Sequence, residues 1–158
     1  MLMSMDFTLN GLPLHPLLVH AVIALFPLTA AAVVLHVLWP AARRRLGIIT
    51  PLLGAAAAVV TPVTVLAGMA LLKKVGPIPA AEYHASLGIL MPYWAGGLLV
   101  VSVLAYGWFS WRDRLRISIS ARAIVTAVVA VLGVGVSIGA LVMCVVVGEA
   151  GSRAVWGR

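Results

Sequence analysis

The sequence predicts an all-α integral membrane protein: one domain, residues 1–158, folded as a four-transmembrane-helix bundle with both termini extracytoplasmic. Three observations carry that expectation. The 158 residues are 63% hydrophobic and 9% charged, with a mean hydropathy of +1.15, whereas soluble domains average about 45–50% apolar and about 25% charged. So short a chain has too little interior to hide the excess, and the apolar surface must face lipid. Four apolar runs also reach the roughly 20 residues a helix needs to cross a bilayer. The basic residues gather at the ends of those runs, as membrane topology requires.

The first span is expected over 16–39. It ends at Pro40, with Arg43, Arg44 and Arg45 beyond. The preceding MLMSMDFTLN has no Lys or Arg, and the run after it exceeds the about 7–15 residues of a signal h-region. It therefore reads as a span and not as a cleavable leader. The second span, 48–72, is closed by Lys73 and Lys74, and the connector VGPIPAAEY is rich in proline. The third covers 85–111 and is followed by RDRLR; the fourth covers 121–148. Pro27, Pro62 and Pro92 fall inside spans, where each frees the carbonyl four residues earlier, at Ile23, Ala58 and Gly88. Those are ordinary kinks or polar groups lining a pocket. Gly135 and Gly139 form a small-xxx-small pattern that suits close helix approach, within the bundle or in a homo-oligomer.

Charge sets the orientation. The 1–2 and 3–4 connectors carry Arg43, Arg44, Arg45, Arg112, Arg114, Arg116 and Arg122, seven of the 11 basic residues. The positive-inside rule puts them in the cytoplasm, and the other connector and both termini outside it. The formal charge of +7 is thereby explained without nucleic acid. Cys144 is the only cysteine, so it forms no intrachain disulfide and reads as a small packing residue.

This topology brings His15, His20, Glu82, Tyr83, His84 and Glu149 to the outer face. Ionisable groups at membrane depth are costly and mark functional sites or satisfied polar clusters. His20 is the deepest, about 7 Å along the axis from His15. His15, His20, His84 and Glu149 make a four-ligand set for a transition metal (Zn, Cu or Fe). His20 and His84, from different helices, could instead be axial ligands to haem b. Against a shared metal, the H-x4-H spacing turns the two rings about 140° apart on a helix. A purely structural polar cluster, with no cofactor, and proton or small-solute handling stand beside these readings. His36 reads as an interfacial residue without a role. Ser102, Ser110 and Ser137 have no base placed by the sequence, so no catalytic residue and no hydrolase is expected.

Three stretches, PLHPLLVH, EYHASLGIL and GEAGSRAVWG, resemble the bacterial four-span membrane family catalogued as domain of unknown function 2231. The resemblance covers essentially the whole chain. It implies a multi-pass inner-membrane protein without an assigned activity, whose recurring histidines map onto His15, His20 and His84. Many members carry an acid where LAGMALLKK has Met69, and another after the third-span histidine, where this chain reads HASLGIL. Those departures favour a structural role. Two functions follow as expectations. One is an accessory, redox-associated subunit, as of a respiratory complex, whose His/Glu cluster binds a metal or haem. The other is a non-catalytic interaction subunit whose histidines are structural. Its partners are the lipid bilayer and either other membrane subunits or a second copy.

Overall fold

Lipid offers the backbone no hydrogen-bond partner, so each apolar run satisfies its own amides by coiling. Four helical stretches are long and apolar enough to cross a membrane. The computed structural model describes residues 7–9 and 11–157. Residues 1–6 and 10, which belong to the segment read as lacking a leader, and Arg158, one of the basic residues expected outside the cytoplasm, lie outside the described residues.

A two-residue hairpin precedes the bundle. β1 (Thr8–Leu9) pairs antiparallel with β2 (Leu12–Pro13), and Gly11 supplies the positive φ of the turn, +81°. The Leu14 amide donates to the Phe7 carbonyl at 2.8 Å, tying the hairpin to α1 (Leu14–Leu38). α1 stops at Trp39, which is extended because it precedes Pro40. α2 (Pro40–Leu46) starts on that proline and carries Arg43, Arg44 and Arg45 in its last turn, where cations suit the helix dipole. α3 (Ile49–Val75) holds Pro62 internally, as α1 holds Pro27.

The third span departs from the expected single helix. It is α4 (Pro79–Gly88) and α5 (Met91–Trp111), separated at Ile89–Leu90. Pro92 lies in the first turn of α5, where a missing N–H breaks no helical bond. The expectation that Pro92 frees the Gly88 carbonyl from inside a helix is therefore corrected. A 3₁₀ turn (Arg112–Arg114) leads to α6 (Ile119–Trp156). The Ser118 hydroxyl accepts from the Ala121 amide and caps α6. At 38 residues, α6 is about 57 Å long and outruns a hydrocarbon core of about 30 Å. The helix of the fourth span thus continues past residue 148 through Glu149 and Arg153, an i,i+4 ion pair that suits a helix.

α1 packs on α3 and α6, and α5 packs on the same two, closing a ring of four spans. α3 turns Gly54, Ala57, Thr61, Thr64 and Ala67 inward and Leu52, Val59 and Leu66 outward. Small residues face the bundle because association in lipid relies on close packing and not on water exclusion. Phe26, Ala95, Leu98 and Ala140 form the fully buried centre.

The helix glycines divide by their surroundings. Gly133 lies against Val33 and Val37, and Gly139 against the Trp94 ring. Gly135 is exposed with nothing near it, so only one residue of the expected 135/139 pair meets a neighbouring helix.

Candidate functional site

One end of the ring gathers the start of α1, the end of α3, α4 and the end of α6. An apolar cavity of about 660 Å³ lies there, lined by residues of all four, with His15, His20 and His84 among them. The His15 and His84 rings approach edge to face, their centroids 6.1 Å apart.

Each of these two imidazoles is held by a neighbouring helix in the same way. His15 Nδ1–H donates to the Thr64 carbonyl at 3.0 Å, and its ring lies over Gly68. His84 Nδ1–H donates to the Val147 carbonyl at 3.1 Å, and its ring lies over Gly151. In both units the glycine sits four residues after the accepting carbonyl and directly follows a buried alanine, Ala67 or Ala150. A Cβ on Gly68 would come within 2.8 Å of His15, and one on Gly151 within 3.0 Å of His84. A Cβ would displace the ring at Gly68 and crowd it at Gly151. The two helix pairs, α1/α3 and α4/α6, therefore repeat one device and bring the copies face to face.

The bonds also set the chemistry of the rings. A proton fixed on Nδ1 by a carbonyl leaves Nε2 with its lone pair, the atom that accepts a proton or binds a metal. Among the described residues neither Nε2 has a hydrogen-bond partner.

The other expected site residues are placed differently. His20 lines the same cavity but is exposed, and its Nδ1–H donates to Pro16 of its own helix at 2.6 Å. The 140° turn between positions 15 and 20 sends one ring inward and the other outward. The facing pair is thus His15/His84 and not His20/His84. Glu149 is exposed and ion-paired with Arg153. Among the described residues no three His, Cys, Asp or Glu side chains come together to hold a metal ion, so the set His15, His20, His84 and Glu149 does not converge. Glu82 and Tyr83 are exposed, and Cys144 is half-buried along the cavity.

His36 is far from the interfacial bystander the sequence suggested. It is 2% exposed, and its Nδ1 shares a hydrogen bond of 3.0 Å with the Thr50 hydroxyl. Reasoning from the sequence also missed Gly68 and Gly151. The signal was present in the paired Ala-Gly dipeptides 67–68 and 150–151, each near the C-terminal end of a span.

No curated protein and no solved structure is matched by the chain. The sequence model of the family described as "Predicted membrane protein (DUF2231)" matches residues 11–158, from the turn before the first histidine to the last residue, and includes all three histidines of the cavity. The chain belongs to this DUF2231 family of predicted membrane proteins.

Proposed function

We propose that the protein is a redox-associated subunit of a bacterial inner membrane that holds a haem between His15 and His84. The observation that carries the reading is the pair itself: two imidazoles from different helix pairs, each with Nδ1–H tied to a carbonyl, with centroids 6.1 Å apart. His15 and His84 are the residues that would hold the group, each through the Nε2 left with its lone pair by the bond from Nδ1–H to a carbonyl. The cavity falls within the about 300–1,000 Å³ of sites that enclose small molecules and cofactors, and such sites are mostly apolar.

Ligand count favours haem over a bare ion. Two protein ligands leave a zinc or copper site open, whereas a porphyrin brings its own four nitrogens and asks the protein only for axial ligands. Held by His15 and His84, such a group would supply one-electron transfer. Thr64 and Val147 hold the rings, and the aliphatic lining keeps the site dry. The seven-to-four division of basic residues supports an extracytoplasmic location for this end and for both termini.

A second reading has its own support. Each imidazole bridges two helices and fills the space over a glycine, which suffices for a non-catalytic interaction subunit. Absorption spectra of the purified full-length protein, before and after haem titration, separate the two. The haem reading expects a Soret band that His15→Ala and His84→Ala each abolish, while His20→Ala and Glu149→Gln keep it. A parent that stays colourless through the titration overturns the haem reading and leaves the structural one.

A further inference from the structure

The opposite end of the bundle concentrates positive charge against one aromatic ring. Arg43 of α2 reaches back to the end of α1, where its Nε donates to the His36 carbonyl at 2.6 Å and its Nη2 to the Val37 carbonyl at 3.1 Å. Its Cζ stands 3.3 Å from the centroid of the Phe109 ring, and Arg112 Cζ stands 4.9 Å from the same centroid. Arg122 of α6 joins them through Asp113, with 3.1 Å from its Nη1 to Asp113 Oδ1; Arg112 Nε is 3.8 Å from that oxygen.

Arg112 and Arg122 thus share one carboxylate, and with Arg43 on the same aromatic ring these four residues carry a local excess of two positive charges. That carboxylate is 74% exposed, so it neutralises its partners weakly. Arg112 Nε and Arg122 Nε are both shut off from solvent with no hydrogen-bond partner among the described residues. An N–H of a charged group left in that state is expensive. Burial above all, with the charges of Arg112 and Arg44 adding to it, pushes the Arg43 guanidinium below its ordinary pKa.

We propose that Arg43, Arg112 and Arg122 form a binding site for a phosphate group, supplied by the headgroup of an anionic phospholipid. Phosphate matches the donors: its oxygens accept several forked N–H bonds at once, and its charge offsets the excess. The lipid source follows from position. Trp39 and Trp111, 58% and 57% exposed, flank the cluster in sequence and are the residue type that settles at headgroup level. Basic pockets between spans take anionic headgroups in the same way. The site is independent of the histidine pair.

The test uses the full-length protein in a neutral detergent. Native mass spectrometry measures binding of phosphatidylglycerol and of phosphatidylcholine, and competition by inorganic phosphate at matched ionic strength. Phosphatidylglycerol is expected to bind about tenfold or more tightly than phosphatidylcholine. Arg112→Gln and Arg122→Gln are each expected to lose about tenfold, the loss of one charge-assisted bond. Arg45→Gln, at an exposed position outside the cluster, should bind as the parent does. Arg43 is left intact because it also ties α2 to α1. If inorganic phosphate binds alone and neither lipid is preferred, the phosphate site stands with a soluble source. Equal binding of both lipids without phosphate competition, or unchanged binding in both glutamine variants, overturns the proposal.

Discussion

Gly68→Ala tests the seat of His15 with a single added methyl group. The new Cβ would lie 2.8 Å from both Cε1 and Nδ1 of His15, closer than atoms pack, so the imidazole must leave its place. Its bond to the Thr64 carbonyl, 3.0 Å in the parent, is then lost, at about 0.5–1.5 kcal/mol. Overpacking adds about 1–3 kcal/mol, and replacing glycine by alanine inside a helix returns about 1 kcal/mol. The net expectation is a destabilisation of about 0.5–3.5 kcal/mol. Gly96→Ala is the control. Gly96 lies within α5 with nothing near its would-be Cβ, so the change should be neutral or stabilise by up to about 1 kcal/mol. Unfolding in graded detergent mixtures, followed by circular dichroism, measures both. If Gly68→Ala proves as stable as Gly96→Ala, the His15 ring does not lie over Gly68, and the repeated seating of the two histidines is wrong.

The glycines of α6 give a second comparison: Gly139→Leu should collide with Trp94 and destabilise the bundle, whereas Gly135→Leu should elute and melt like the parent. Equal behaviour of the two in size exclusion and thermal melts would contradict the packing of α5 on α6. Orientation is testable with single cysteines in a Cys144→Ser background. Ala80→Cys should label with an impermeant maleimide in intact cells and Asp113→Cys should not; the reverse pattern would place the histidine pair in the cytoplasm.

Much of the fold is written in composition. The four apolar runs and their helical state follow from the sequence alone, because a backbone in lipid must satisfy its hydrogen bonds locally. Local chemistry also marks several ends: Pro40, Gly76 and Pro79 stop or start helices as their backbone restrictions require. The third span shows where such reading weakens. A proline within an apolar run either kinks a helix or begins one, and only the packing of α4 on α6 distinguishes a new helix at Met91 from a bend.

The candidate site divides along the same line. That histidines would meet at one end of the bundle was legible from topology, since alternating spans return the start of α1 and the start of α4 to one face. The helical angle between positions 15 and 20 even forbade both rings from facing the same partner. Which ring turns inward was not legible, because it depends on the rotation of α1 about its axis, set by packing against α3 and α6. The glycines beneath the rings were hidden for a related reason. Gly68 and Gly151 are unremarkable within their own helices and gain meaning only when a ring from another helix lies on them. In this protein the sequence alone determined the four apolar helical stretches, through backbone chemistry that acts within a few residues. The tertiary structure decided which side chains share a cavity, because that depends on contacts between residues 49 and 63 positions apart.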